Sequence, residues 1–274
     1  MPELPEVETV VRYLKTKIIN QSIHKINLIY PPVLKNASID KFYEYLLNEH
    51  FVNISRKGKY IILYLSNNKC LIIHLRMEGK LFAQPLNSKP NFKQLICEFT
   101  LDNLVLRFYD TRKFGTFEIV DKLELNELKS LAKLAMDANS SDFKPEYLYN
   151  ISRKSKIAIK TFLLDQSNVA GIGNIYVNEI LFACNISPIR KTCEITINDC
   201  KNIVKYSKSI LDLSISKNGT TIHTYKFNEY ESGGYQNFLQ IHDHKGQLCP
   251  KCQNKVQFTK VNGRGTYYCP NCQK

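Results

Sequence analysis

The chain has 274 residues, 43% of them hydrophobic and 23% charged, enough to bury one large core or two ordinary ones. No apolar run is long enough to span a bilayer, and the acidic, proline-rich start lacks the basic-then-apolar pattern of a secretory signal, so an intracellular setting is the default. A formal net charge of +13 points to a polyanionic partner, nucleic acid before membrane, and an odd total of nine cysteines argues against a disulfide framework.

The opening stretch, Met1-Pro2-Glu3-Leu4-Pro5-Glu6-Val7-Glu8, reads in two ways. As structure it is an ordinary helix start. Pro5 suits a first turn, Glu6 and Glu8 suit the positive end of the dipole, and Val7, Val10, Val11, Leu14 and Ile18 follow amphipathic spacing. As chemistry it is a nucleophile. Removal of Met1 exposes a secondary amine, and an α-amino group titrating near ~7.7–8.0 is partly neutral at physiological pH. Such an amine forms a Schiff base at a sugar carbon, with neighbouring carboxylates moving the protons. Proline's iminium carries a permanent charge and is a strong electron sink.

Residues 23–29, 51–55, 60–65, 70–75, 95–100, 105–109 and 114–120 read as strands, with Asn67-Asn68 and Asp102-Asn103 as hairpin turns. A short helix over 39–48 has Ser38 or Asp40 as its cap. The pattern describes a mostly antiparallel sandwich over about the first 120 residues. Within it, Arg56, Lys57 and Lys59 are either a solvated charge run or a basic entry into a strand, with a lysine pointing into a cleft. Met77 and Phe114 are core candidates and Arg112 half of a surface ion pair, although Met77-Glu78-Gly79 and Lys113-Phe114-Gly115 look like loops.

From residue 123 the pattern becomes helical, with a polar link at 139–142 and helices over 145–151, 155–163, 174–183 and 197–215. The small-residue stretch 166–173 either lets backbone N–H groups approach a phosphate, with Asn174 at the next helix's positive end, or is only a tight interhelical turn. Residues 217–240, rich in Gly, Thr and Tyr, form a long loop of a type that is often functional. At the end, Cys249-Pro-Lys-Cys252 and Cys269-Pro-Asn-Cys272 have the spacing of a zinc ribbon. Each pair puts two sulfurs on one turn, and four thiolates fill a tetrahedral shell, so the one zinc is structural. Residues 256–259 and 265–268 read as its hairpin strands, and Lys245, Lys251, Lys255, Lys260 and Arg264 make the tail a phosphate-gripping element. Cys70, Cys97, Cys184, Cys193 and Cys200 read as small hydrophobes or idle thiols.

In this order PELPEVETV at the start, RKGKY at 56–60, HLRMEGKL at 74–81, DTRKFG at 110–115, VAGIGNIYVNEILF at 169–182 and GRGTYYCPNC at 263–272 resemble the formamidopyrimidine-DNA glycosylase and endonuclease VIII family over essentially the whole chain. The resemblance implies an α+β fold: an N-terminal antiparallel β-sandwich with an opening helix, then a helical domain with a helix–two-turn–helix and a zinc-ribbon β-hairpin. It divides the chain into a catalytic domain over 1–134, a linker over 135–150, a DNA-binding domain over 151–240 and a four-cysteine finger over 241–274.

The resemblance implies that Pro2 is the nucleophile, Glu3 the acid–base group for sugar ring opening, Glu6 a supporting carboxylate and Lys59 a second base or proton donor. Met77, Arg112 and Phe114 match the residues that fill the hole left by an everted base. Asn174 and Arg264 match phosphate-gripping residues, Arg264 counting with the catalytic set as well, and His74 and Lys156 match further backbone contacts. Glu78 and the loop with Thr220, Thr221 and Tyr225 face the everted base. The implied activity is bifunctional, a DNA glycosylase and abasic-site lyase of base excision repair acting on oxidised purines through a Pro2 Schiff base. Leu4, where endonuclease VIII types usually carry glycine, favours the purine branch over an oxidised-pyrimidine specialist; a non-catalytic zinc-ribbon DNA-binding protein explains the charge and the cysteines but not the opening residues. The implied partner is double-stranded DNA with damaged bases or abasic sites, bound by a monomer in the bacterial cytoplasm at the nucleoid, with no membrane role. Asn218 replaces the first of two glycines usual before the paired threonines, and Gln240-Ile241-His242-Asp243-His244 replaces a commoner Tyr-Gly-Arg pattern.

Overall fold

The computed structural model describes residues 2–221, 226, 228 and 231–274, in two compact units: Met1–Ala132 with Lys217–Gly234, and Lys133–Ser216 with Tyr235–Lys274. In the first, helix α1 (Leu4–Ile18) buries Val7, Val10, Val11, Leu14 and Ile18, the stripe that its sequence spacing predicts. Lys15 and Lys17 sit in its last turn at the negative end of the dipole. Asn20 then takes a left-handed conformation (φ 64°) that stops the helix.

Two four-stranded antiparallel sheets follow. One has the order β1-β6-β7-β5, with β1 Lys25–Leu28, β5 Lys80–Pro85, β6 Leu95–Thr100 and β7 Leu104–Tyr109. The other has the order β2-β3-β4-β8, with β2 Phe51–Lys57, β3 Tyr60–Leu65, β4 Lys69–His74 and β8 Thr116–Asp121. Helix α2 (Ile39–Leu46), capped by the Ser38 hydroxyl, carries Phe42 into the core between Phe99 of the first sheet (ring centroids 6.3 Å) and Phe117 of the second (6.2 Å). Phe108 lies 5.0 Å from Phe117 across the same layer, so the sheets form a sandwich closed by aromatic rings.

Strand β5 is absent from the sequence reading. Its polar Lys80 and Gln84 and terminal Pro85 weaken the strand signal, but it pairs at the sheet edge with β7, where proline is tolerated. The expected strand over 114–120 begins only at Thr116, which leaves Phe114 in a loop.

The second unit contains α4 (Pro145–Ser152), α5 (Ile159–Leu164), α6 (Asn174–Ala183), α7 (Ile197–Ser216) and the hairpin β9 (Gln257–Val261)–β10 (Arg264–Tyr268); α3 (Lys129–Ala132) closes the first. Helix α6 is enclosed on nearly every side, which explains why polar Asn178 and Glu179 are as buried as Val177 and Ile180. Helix α5 starts at Ile159, later than the expected 155, because residues 153–157 turn before the Ile159 N–H bonds the Arg190 carbonyl at 2.8 Å. Residues 135–150 are packed into this unit: Ala138 and Ala170 exchange 2.9 Å backbone bonds with Ala170 and Met136, and Phe143 is buried. Residues 217–234 cluster with the first unit. Among the described residues no helix is long and apolar enough to cross a membrane.

Phe42→Ala removes the ring shared by both sheets and should destabilise the first unit by about 3–5 kcal/mol, read as a shift in its urea midpoint; a change below about 1 kcal/mol would contradict the shared core.

Candidate functional site

Pro2, Glu3 and Glu6 are all buried, Glu3 and Glu6 at 2% exposure, which is unusual for carboxylates so near a chain end. Glu6 is held by two backbone donors. The Glu3 N–H bonds its Oε2 at 2.7 Å, the reach-back half of a capping box, and the Thr220 N–H bonds its Oε1 at 2.7 Å. Gly219 (φ +81°) passes so close that a Cβ there would stand 2.9 Å from Glu6 Oε1 and 3.0 Å from its Cγ. The neck of this segment is closed by Gly234 N–H to the Lys217 carbonyl at 2.8 Å and Gly233 N–H to Thr221 Oγ1 at 2.8 Å. Asn218 has φ 61°, a left-handed conformation that asparagine tolerates, so its place before Gly219 needs no rearrangement. Tyr225 lies outside the described residues.

Lys59 is placed differently from its sequence expectation. It occupies, with Gly58, the two-residue turn between β2 and β3, rather than a strand entry, and it is only 6% exposed. The solvated charge run also fails for Arg56, whose side chain is 9% exposed and bonds Glu8 Oε2 at 2.9 Å. His74, at the end of β4, is buried against the edge of Tyr60, 4.4 Å between centroids. Burial first, then the charges of Arg76 and Lys59, push its pKa down to about 3. Its Nδ1 accepts the Arg76 N–H at 2.9 Å, so the neutral ring presents Nε2–H as a donor.

Met77 (36% exposed), Arg112 and Phe114 (52%) all stand in the open rather than in the core. The Arg112 guanidinium lies 4.9 Å from the Phe114 ring centroid, a stacked pair in place of the expected ion pair. Asp110, buried at 1% exposure, shapes their loop by accepting backbone N–H bonds from Arg112 (3.0 Å), Phe114 (2.8 Å) and Gly115 (2.7 Å). Glu78 is half-buried in the neighbouring turn.

In the second unit, Lys156 is exposed in the turn before α5. Asn174 opens α6 and donates its Nδ2 to the Gly265 carbonyl of β10 at 3.0 Å. The stretch 166–173 is organised internally: Gln166 accepts the Gly171 N–H at 2.9 Å and donates to the Leu164 and Ile172 carbonyls. Arg264 is exposed at the start of β10, beyond a two-residue Asn262-Gly263 turn (φ 46° and 73°), so Lys260 and Arg264 lie on strands, not in the wider expected turn. Lys251 is no phosphate grip here: its Nζ caps the end of α6 through the Phe182 carbonyl and Asn185 Oδ1, both at 2.7 Å.

The sequence reading missed Lys160. Fully buried, its ammonium meets Asn178 Oδ1 (2.9 Å), the Gly265 carbonyl (2.7 Å) and Thr266 Oγ1 (2.8 Å), which ties α5, α6 and β10 together beside Arg264. A lysine following Ile157-Ala158-Ile159 was the available signal. Asn178 continues to His242 Nδ1 at 2.7 Å, and burial pushes that imidazole down to about 4. Glu179 accepts the backbone N–H groups of Gln240, Ile241 and His242 at 2.8–3.0 Å, so the 240–244 stretch is an anchor on α6.

Cys249, Cys252, Cys269 and Cys272 bring their Sγ atoms within 4.8 Å of one another, with Cys249–Cys272 at 3.9 Å and Cys252–Cys269 at 3.5 Å. A zinc–sulfur length of about 2.3 Å sets tetrahedral edges close to these separations, so the quartet fits one structural zinc. Of the five scattered cysteines, Cys70, Cys97, Cys184 and Cys200 are buried as expected, and burial raises those four thiols, whereas Cys193 is only half-buried.

Comparison with known proteins agrees with this organisation. The family signature described as the formamidopyrimidine-DNA glycosylase N-terminal domain matches residues 1–117, its H2TH domain matches 134–226, and the zinc finger found in FPG and IleRS matches 246–274. The chain is 46% identical to a formamidopyrimidine-DNA glycosylase of Ureaplasma parvum over the full length of both. The fold superposes with a TM-score of 0.94, at 34% identity and full coverage of both chains, on a Lactococcus lactis FPG mutant in complex with Fapy-dG containing DNA. A wild-type Lactococcus lactis Fpg in complex with an oxidised-pyrimidine-containing DNA gives 0.92 at 33% identity, again over both whole chains.

Because His74 is held far below its unfolded value of about 6.5, the unfolded chain takes up a proton that the folded one refuses. Its contribution is fully present above pH 6.5 and is lost as the pH falls below it, by about 2 kcal/mol at pH 5. Urea midpoints of the first unit at pH 7 and pH 5 should show this loss, and His74→Asn should reduce it; an unchanged slope in the variant would contradict a buried neutral His74. For the metal, chelation or Cys249→Ser should expose the finger's thiols to labelling while the first unit's urea transition stays in place. Thiols as protected after chelation as before would contradict the zinc-held quartet.

Proposed function

The chain belongs to the formamidopyrimidine-DNA glycosylase family, and from that premise we propose that it excises oxidised purines from double-stranded DNA and cuts the strand at the resulting abasic site, with Pro2 as nucleophile. The observation that carries the reading is the burial of Pro2, Glu3 and Glu6 together, with Glu6 bonded both to the residue after the nucleophile and to the loop at Thr220.

In this reading the Pro2 nitrogen, free once Met1 is removed, attacks C1′ of the damaged nucleotide as the base departs with a proton. Glu3 protonates the ring oxygen, the sugar opens and the nitrogen's lone pair completes the iminium. The iminium withdraws electrons, so a base removes the C2′ proton and the 3′ phosphate leaves; a second elimination expels the 5′ phosphate. Water then releases Pro2. Lys59 serves as the further base or proton donor, and its charge falls on the same pocket as His74, which offers Nε2–H to a backbone phosphate as a neutral donor.

Chemistry on a paired base requires turning it out of the stack, at a cost of a few kcal/mol. Met77, Arg112 and Phe114 fill the vacancy: all three are exposed, and the backbone of Arg112 and Phe114 is preassembled on Asp110, so that loop needs little ordering when DNA arrives. Glu78, Thr220 and Thr221 face the everted base. Asn174, Lys156 and Arg264 hold phosphates, Arg264 counting with the catalytic set as well, and Lys160 fixes the strand from which Arg264 extends. Zinc supplies only shape, since four thiolates leave it no open position for a substrate. Residues 1–134 carry the catalysis, 135–150 connect, and 151–240 and 241–274 grip the DNA, apart from the 217–234 loop. The setting is the bacterial cytoplasm at the nucleoid, and the protein acts as a monomer. An oxidised pyrimidine is a second substrate class, favoured by the complex of the Lactococcus relative with such a DNA.

Borohydride added during turnover of a duplex with 8-oxoguanine opposite cytosine should trap a covalent protein–DNA complex, lost in Pro2→Gly and when Met1 or a tag is retained. Tight binding with no trapped complex on any lesion or abasic site would leave only the non-catalytic zinc-ribbon reading.

A further inference from the structure

The loop that carries Met77 and the loop that carries Arg112 and Phe114 are separated by more than thirty residues of sequence, yet filling one vacancy requires them to hold a fixed mutual position. Each contains a glycine within two residues of its exposed side chain, Gly79 after Met77 and Gly115 after Phe114, and both glycines rest on the same side chain. A Cβ at Gly115 would overlap Phe108 Cζ and stand 2.7 Å from its Cε1. A Cβ at Gly79 would stand 2.9 Å from the same Phe108 Cζ and would overlap the Leu75 carbonyl oxygen. Phe108 is fully buried in β7, backed by Phe117 at 5.0 Å, so its ring has no room to retreat.

We propose that Phe108 is the positioning residue of the hole-filling set: its ring is a common seat on which Gly79 and Gly115 land, and it fixes Met77 relative to Arg112 and Phe114. The inference rests on the assignment of those three side chains to the vacated stack. Phe108 does not touch DNA. It acts through two backbones, and Asp110, two residues along the chain from the ring, fixes the rest of the second loop through its three N–H bonds. The glycines follow from this role, because an ordinary side chain at either position would push its loop off the seat.

The two glycines differ in a way that gives a test. At Gly115 the obstructing atoms nearest the added carbon belong to the Phe108 ring, whereas at Gly79 the Leu75 backbone obstructs as well. Gly115→Ala should therefore slow single-turnover excision of 8-oxoguanine from paired duplex by about tenfold or more, the scale of loss from sub-ångström misplacement. Cleavage of a preformed abasic site in single-stranded DNA, where there is no stack to refill, should stay within about twofold. Adding Phe108→Leu should restore most of the duplex activity of Gly115→Ala but little of that of Gly79→Ala. Phe108→Leu alone, which introduces no clash, should show the same split between the two substrates more weakly, and it keeps the test available if Gly115→Ala does not fold. Absence of suppression in the folded Gly115→Ala background, or equal losses on both substrates in Phe108→Leu, would overturn the proposal. Met77→Ala with Phe114→Ala is measured alongside: equal losses on both substrates there would sink the hole-filling assignment itself, whereas a duplex-selective loss there without suppression would sink only the role of Phe108.

Discussion

One buried carboxylate holds the start of this chain to a segment more than two hundred residues away. Glu6 takes the Glu3 N–H on one oxygen and the Thr220 N–H on the other, both at 2.7 Å. A carboxylate at 2% exposure is costly unless its lone pairs are filled, and here two backbone donors fill them. The consequence is mechanical. Glu3 and the neck of the segment at 217–221 cannot move independently, so the opening turn of α1 and that segment share one anchor. Gly219 permits the approach because it has no Cβ and can adopt φ +81°.

The same solution recurs at two other irregular segments. Asp110 gathers three N–H groups to shape the Arg112–Phe114 loop, and Glu179 gathers three to seat residues 240–242 on α6. Lys160 inverts the sign, one buried ammonium among three acceptors that joins two helices to the zinc hairpin. Each is a buried ionisable group whose polar atoms are met by backbone atoms or neutral side chains, so removing a partner leaves a buried polar atom unsatisfied. The exposed side chains of Arg112 and Phe114 thus stand on a backbone fixed from below by the buried carboxyl group of Asp110.

Much of this was legible in the sequence, for definite reasons. The stripe Val7, Val10, Val11, Leu14 and Ile18 gave α1, the paired C-x-x-C spacing gave the metal site, and the boundaries of α6 followed from its apolar run. The misreadings share a cause. Lys59, Met77 and Phe114 were ambiguous because periodicity reports which face of a regular element a residue occupies, and these three stand outside helices and strands. Strand β5 was missed because an edge strand tolerates polar residues and proline. Asp110 and Phe108 were invisible as anchors because their roles depend on partners brought together by folding, and for Lys160 the preceding Ile157-Ala158-Ile159 signals burial but not the three acceptors that meet it. The resemblance to a known family supplied roles that residue chemistry alone left open, notably for the first eight residues.

In the proposed mechanism the secondary amine nitrogen of Pro2, buried beside Glu3 and Glu6 in the chain, is the atom that bonds the sugar. Peptide mapping by mass spectrometry of the borohydride-reduced protein–DNA adduct locates that bond directly. The remnant should sit on the peptide that begins at Pro2, at its amino nitrogen, in protein that has lost Met1. A remnant on Lys59 or any other lysine, with Pro2 unmodified, would contradict it.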